Sequence, residues 1–213
     1  ITCRDWFQLC LKEGFTVYRD QEFTSDQRSR VVTRIGDVRA LRTHQFVEDA
    51  GPLAHPVRPE LYREINNFYT TTVYEKGAEV VRMIHTLLGP ALFRKGTDLY
   101  FERHDGHAAT VEQFVKCFAD VSGRDFGQFM RWYSQAGTPE IVATGTYDAS
   151  AKSYRLDLAQ VIPPTPGQPS KQPMAIPLRV ALVGADSGRE VGPERLIMLT
   201  DAAQVETFES VSE

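Results

Sequence analysis

Phe126-Gly127-Gln128-Phe129-Met130-Arg131-Trp132-Tyr133-Ser134-Gln135-Ala136-Gly137-Thr138-Pro139-Glu140-Ile141-Val142-Ala143-Thr144-Gly145-Thr146-Tyr147 is where the chain changes its period. Residues 126–133 read as a last short helix, and Gly137 and Pro139 close it because neither continues an α-helix well. Before residue 138 apolar residues mostly recur at helical spacing, and after it they alternate. The chain therefore reads as an α+β fold. A helical part covers residues 1–138, and a small β-sandwich domain covers 139–213.

Upstream of the switch, Thr110 with Gln113 has the spacing of a capping box for a helix through Phe114, Val115 and Phe118. A further helix holds Leu92, Leu99 and Tyr100. Residues 71–88 form a strong helix, with Val73, Gly77, Val80, Ile84 and Leu87 on one face and Gly89-Pro90 as its stop. Three prolines within residues 51–59 exclude a helix there and predict a fixed, extended loop. Residues 25–46 predict a helix with a stripe of Val31, Ile35, Val38 and Leu41. Its arginines, Arg28, Arg30, Arg34, Arg39 and Arg42, read as a solvated face rather than a binding patch. The first helix, over residues 4–22, is apolar on most sides and is expected to be buried.

Downstream, residues 141–147 and 154–161 flank a polar turn and predict a hairpin. Residues 162–173 are rich in proline and glutamine and read as a long loop. Ile176, Leu178, Val180 and Leu182 alternate, and 196–200 and 204–208 are further strands. Short antiparallel strands of this kind suggest a sandwich.

Composition narrows the function classes. Of 213 residues, 42% are hydrophobic and 24% charged, ordinary for a soluble globular protein. The net charge of −4 gives no general attraction to nucleic acid or anionic membrane. The apolar runs are short and interrupted by charge, so no membrane span is expected. Cys3, Cys10 and Cys117 form no Cys-x-x-Cys pair. On a shared helix Cys3 and Cys10 would stand roughly 10 Å apart, too far to bridge. Three reduced thiols suit a cytoplasmic location. The core-like Trp6-Phe7-Gln8-Leu9 so close to the first residue suggests an internal piece of a longer protein.

Two residues stand out chemically. Glu13 shares a helical stripe with Trp6, Cys10 and Val17, so its carboxylate sits on a face that otherwise wants burial. Such a group needs a cation or a metal beside it; a salt bridge, or a helix rotated to expose it, would also satisfy it. Tyr74 opens the 71–88 helix beside Glu75 and Lys76, where a tyrosine is ordinarily a packing residue. His104-Asp105-Gly106-His107 reads as a surface turn. His55 reads as a loop residue, and His44 and His85 as helix residues with ordinary hydrogen bonds. No His-Glu-x-x-His, Gly-x-Ser-x-Gly or phosphate-binding loop is present.

Asp5-Trp6-Phe7-Gln8-Leu9-Cys10-Leu11-Lys12-Glu13-Gly14-Phe15-Thr16-Val17 resembles the segment that follows His-Glu-x-x-His in the M1 family of zinc metallo-aminopeptidases. Asn67-Phe68-Tyr69-Thr70-Thr71-Thr72-Val73-Tyr74-Glu75-Lys76-Gly77-Ala78 resembles that family's catalytic tyrosine segment. Ala54-His55-Pro56-Val57-Arg58-Pro59 is similar to the loop between the two blocks. Arg131 to Pro139 is similar to the end of the catalytic domain. The blocks occur in family order and cover nearly the whole chain.

The resemblance implies the helical second half of a thermolysin-like catalytic domain followed by a β-sandwich. It implies Glu13 as the third zinc ligand, Tyr74 as the catalytic tyrosine and Tyr69 as a lining residue of the substrate pocket. It also implies one zinc ion in the parent enzyme and peptides with a free N-terminus as substrates. In the family eighteen residues separate the second histidine from the glutamate. Only twelve precede Glu13 here, so the histidines and the general base would lie upstream of Ile1. The family's Gly-x-Met-Glu-Asn segment and its C-terminal helical domain are likewise absent from this sequence. The chain alone is accordingly expected to be inactive, to bind zinc weakly if at all, and to self-associate through apolar surface. The competing reading is a non-catalytic M1-like scaffold or interaction module.

Overall fold

A computed structural model describes residues 2–212. The chain divides into two units, Ile1–Thr138 with Pro164–Ser170, and Pro139–Pro163 with Lys171–Glu213.

In the helical unit, β1 (Thr2–Cys3) is followed by a 3-10 turn at Trp6–Gln8 and then α1 (Leu9–Gln27). The first helix thus begins and ends about five residues later than its apolar run predicts. The reason at the start is Gln8, which is buried and accepts a hydrogen bond at Oε1 from Val111 N at 3.0 Å, so that the turn is tied down before the helix begins. Burial along α1 is one-sided, which corrects the expectation of a helix buried on most sides. Leu9, Cys10, Leu11, Gly14, Phe15 and Tyr18 are buried, whereas Phe23 is exposed.

Arg28 is extended and Ser29 Oγ accepts from Val32 N at 3.4 Å, capping α2 (Arg30–Ala40). The second helix therefore starts at Arg30, not at 25. It continues past 46, through a π-helical turn at Leu41–Gln45 into α3 (Phe46–Ala50). No residue of α2 is buried, and Val31 and Ile35 of the predicted stripe are 70% and 48% exposed. The arginine face is engaged in ion pairs: Arg34 binds both oxygens of Glu79 at 2.6 and 2.7 Å, and Arg30 reaches Glu22 at 2.8 Å.

The proline-rich stretch is irregular, as predicted, and Arg58 N fastens it to Tyr133 O at 2.9 Å. A 3-10 turn at Ile65–Phe68 and a second π-helical turn at Thr72–Lys76 lead into α4 (Gly77–His104). Gly89, at φ +71°, breaks α4 where Gly89-Pro90 predicts a stop, and Pro90 opens the continuing segment. β2 (Ala108–Ala109) pairs in parallel with β1. α5 (Val111–Ser122) starts on the predicted box, with Thr110 N to Gln113 Oε1 at 2.9 Å and Gln113 N to Thr110 Oγ1 at 3.3 Å. The last helix, α6 (Arg131–Ser134), is shorter than the predicted 126–133, because residues 127–130 are turns.

The core lies among α1, α4 and α5. Phe15 sits 5.4 Å from Phe114, Tyr100 meets Phe114 edge-on at 5.0 Å, and Phe93 stacks on Phe118 at 5.1 Å. Such pairs add about 0.5–1.5 kcal/mol each beyond the area they bury. They fix the α1–α4 crossing on which the site depends.

In the second unit β3 (Glu140–Asp148) and β4 (Ser153–Val161) form the predicted hairpin, with Tyr147 opposite Tyr154. β5 (Ile176–Val180) pairs with β6 (Arg195–Leu199), and β7 (Ala203–Glu209) adds to β4, giving sheet orders β3-β4-β7 and β5-β6, all antiparallel. Leu156, Leu158 and Gln160 are buried at every second position of β4, and Ile197, Leu199 and Phe208 are buried as well. Gln160 is satisfied: its Nε2 donates to Met174 O and Asp201 O, and its Oε1 accepts from Met174 N at 2.7 Å.

Candidate active site

Two glycines bring the candidate residues together. A side chain on Gly14 would stand 2.8 Å from the carbonyl carbon of Gly77, and one on Gly77 would stand 3.2 Å from Gly14 Cα. α1 and the start of α4 therefore touch backbone to backbone, a separation open only to residues without a Cβ. Glu13 precedes one of these glycines and Tyr74 lies three residues before the other. The crossing sets them side by side.

The electrostatics report the same neighbourhood. The Tyr74 hydroxyl is held above its usual pKa, first by burial and then by the nearby Glu13 charge. A phenol shifted in that direction keeps its proton at neutral pH. The Glu13 side chain is 13% exposed and has Lys12 Nζ at 3.2 Å. That ion pair is the bland alternative for Glu13, and it exists. Lys12, however, is half exposed, and pairs of this kind contribute about 0–1 kcal/mol.

Tyr69 is 56% exposed, with its ring 6.2 Å from Tyr74 and 6.5 Å from Trp6. Trp6, Tyr69 and Tyr74 form a run of neighbouring rings whose Tyr74 end lies beside Glu13.

Tyr74 lies inside the π-helical turn Thr72–Lys76, an uncommon geometry that is frequent at functional sites. Three side chains on one face of the Leu41–Ala50 segment hold that turn. Gln45, 1% exposed, has Nε2 3.4 Å from Thr72 Oγ1. Glu48 accepts from Thr71 N at 3.2 Å, Thr71 Oγ1 at 2.6 Å and Thr72 N at 3.2 Å. Asp49 Oδ2 meets the buried Lys76 Nζ at 2.6 Å and Thr138 Oγ1 at 2.9 Å. Lys76 also donates to Gly137 O at 2.9 Å. Burial would raise the Glu48 carboxyl pKa, but the His55 ring, with Nε2 3.4 Å from Oε1, and the hydrogen bonds from Thr71 and Thr72 overcome it and hold the group down at about 2. Burial pushes the Lys76 ammonium pKa down against the pull of Asp49.

The sequence alone did not single out Gln45, Glu48 or Asp49. Their i, i+3, i+4 spacing was visible, but their partners lie at 71–76. Of the histidines, His55 faces this support, with its Nε2 3.4 Å from Glu48 Oε1. His107 N closes a surface turn on His104 O at 3.0 Å, His44 is exposed, and His85 hydrogen-bonds the Tyr18 hydroxyl. His55 Nδ1 meets Pro56 O at 2.7 Å. The three cysteines are unpaired, and among the described residues no helix is long and apolar enough to cross a membrane.

A metal fits these residues only in part. Among the described residues no group of three or more His, Cys, Asp or Glu gathers. Zinc sites are ordinarily four-coordinate. A single partly buried carboxylate beside a phenol suits one ligand of such a site and does not complete it.

Comparison with known proteins gives a consistent picture. The family model for the peptidase family M1 domain matches residues 1–133. A domain of unknown function with an Ig-like fold, DUF3458, matches residues 137–213. The chain is 51% identical over 218 residues to Aminopeptidase N of Escherichia coli strain K12, covering 99% of this chain and 25% of that protein. It is 56% identical over 213 residues to Aminopeptidase N of Caulobacter vibrioides, covering 100% of this chain and 25% of that protein. Its fold is similar to the crystal structure of Legionella pneumophila aminopeptidase A in complex with aspartic acid, with a TM-score of 0.82 and 27% identity over 100% of this chain and 23% of that one. The chain spans about a quarter of the length of the curated relatives it matches.

Proposed function

The chain belongs to peptidase family M1, and on that premise we propose that it is part of a larger zinc-dependent aminopeptidase that hydrolyses the N-terminal peptide bond of peptides. Residues 1–138 are the C-terminal helical part of its catalytic domain and 139–213 its β-sandwich domain. Glu13 supplies one zinc ligand, Tyr74 a hydrogen-bond donor to the reacting carbonyl, and Tyr69 a wall of the substrate pocket.

The observation that carries this reading is the adjacency of Glu13 and Tyr74 at the Gly14–Gly77 crossing. Bound zinc would supply Lewis-acid polarisation of the scissile carbonyl and a lowered pKa for bound water. The remaining work falls to side chains of this chain. The Tyr74 O–H, set beside Glu13 by the Gly14–Gly77 crossing, donates to the carbonyl oxygen as negative charge develops there. Trp6 and Tyr69 offer flat apolar faces against which the substrate's first side chain can pack. Glu13 holds its position through α1, whose buried face locks onto α4.

The test is zinc stoichiometry and turnover of an alanyl chromogenic substrate by the whole enzyme and its Glu13→Ala variant. Metal content and rate fall together if Glu13 is a ligand. Full zinc occupancy in Glu13→Ala would remove that role. The isolated chain is expected to give no turnover above background.

A further inference from the structure

We propose that Glu48 is a positioning residue for Tyr74: its carboxylate fastens the start of the π-helical turn and so sets where the Tyr74 hydroxyl points. This rests on the reading of Tyr74 as the carbonyl-oxygen donor.

The case begins with the orphan N–H groups at the start of any helix. At the turn carrying Tyr74 they are met from outside the segment. Thr71 N and Thr72 N both donate to Glu48, and the Thr71 hydroxyl donates to the same carboxylate. Locally, only Val73 N finds a side chain, Thr70 Oγ1 at 3.2 Å, while Tyr74 N reaches Thr70 O at 3.1 Å. Glu48 thus binds the two residues at which the turn begins, from 23 and 24 positions away in sequence.

Its neighbours on the same face extend the grip. Gln45 reaches Thr72 and Asp49 reaches Lys76, so the bracketed positions 71, 72 and 76 lie on both sides of Tyr74. A π-helical turn is not a favoured register by itself. Relaxation to the tighter α register would rotate Tyr74 about the helix axis relative to Gly77, which is fixed against Gly14. Gln45 and Asp49 are more deeply buried than Glu48, and removing them would disturb packing. Glu48 is partly exposed and touches the turn through hydrogen bonds, which makes it the residue whose removal isolates the effect.

The experiment uses the whole enzyme with an alanyl chromogenic substrate. It compares wild type, Glu48→Gln, Glu48→Ala, Tyr74→Phe and Glu48→Ala/Tyr74→Phe in kcat, KM, zinc content and melting temperature. Misplacing a catalytic group by about an ångström costs on the order of 10²-fold, so Glu48→Ala should lower kcat by about 10- to 100-fold with KM and zinc content nearly unchanged. Glu48→Gln, which keeps one acceptor oxygen, should lose less. In the Tyr74→Phe background the same Glu48→Ala change should cost less than about threefold, because residues acting as a unit are not additive. Should Glu48→Ala fail to fold, the kcat of Glu48→Gln with and without Tyr74→Phe decides the question in the same way. An equal loss in both backgrounds, a change confined to KM, or a loss of zinc would overturn the proposal while leaving the role of Tyr74 intact. Wild-type kcat in Tyr74→Phe alone would instead overturn the underlying reading, and this inference with it.

Discussion

Replacing Gly14 with alanine tests whether the helix crossing sets the site. The new methyl would lie 2.8 Å from the Gly77 carbonyl carbon and 2.9 Å from its oxygen, whereas ordinary contact begins at 3.4 Å. The difference requires α1 and the start of α4 to part by roughly 0.6 Å, since both obstacles are backbone and cannot swing aside. Overpacking of this kind costs about 1–3 kcal/mol, and the better helix propensity of alanine returns about 1 kcal/mol. A net destabilisation of about 0–2 kcal/mol follows. The kinetic effect should be on the order of 10-fold in kcat for a shift of this size, about 1.4 kcal/mol. The control is Gly36→Ala on α2, where an added Cβ meets nothing within 4 Å. That change should stabilise by up to about 1 kcal/mol and leave kcat alone. The assay is kcat on an alanyl substrate together with the melting temperature, all in the whole enzyme. If Gly14→Ala turned over like Gly36→Ala, the close approach would not be what places Glu13 beside Tyr74.

Other consequences can be checked with the same proteins. The Glu48 pKa is lowered from 4.5 to about 2 on folding, so its contribution, about 3 kcal/mol, is fully present above about pH 4.5 and is lost as pH falls toward 2. The stability gap between wild type and Glu48→Gln should therefore shrink between about pH 5 and pH 3, with His55 facing the same carboxylate; a constant gap would contradict this. Lys76→Met leaves the buried Asp49 carboxylate unpaired and should destabilise by about 3–5 kcal/mol. Adding Asp49→Leu should recover much of that, and no recovery in thermal unfolding would mean the pair is not coupled. The isolated chain exposes Val31, Val32 and Ile35 on α2 and should self-associate, so a clean monomer in sedimentation at high concentration would count against it.

The sequence made the α-to-β switch legible because periodicity is a local property. The Thr110–Gln113 box, the Gly89-Pro90 break and the β3–β4 hairpin are all encoded within a few residues of where they act. Helix ends were less legible. Gln8 is drawn into a turn by Val111, and Ser29 caps α2 inside what reads as one continuous apolar pattern. The two π-helical turns add a residue that no 3.6-residue template registers. At the site, periodicity left Glu13 an oddity and Tyr74 an ordinary packing residue, and the family resemblance supplied both roles. The support around them was out of reach, because Gln45, Glu48 and Asp49 act on partners 23 to 27 residues away. Nor does the sequence reveal that Gly14 and Gly77 face each other.

The central claim is that Tyr74 acts on the reaction rather than on the packing, and kcat of Tyr74→Phe in the whole enzyme tests it most directly. The substitution keeps the ring and deletes only the hydroxyl. Losing one donor to a developing oxyanion costs on the order of 10² to 10³ in kcat. The account predicts that loss with KM nearly unchanged and zinc content intact. A Tyr74→Phe enzyme within about threefold of wild-type kcat, far short of a lost oxyanion donor, would contradict it.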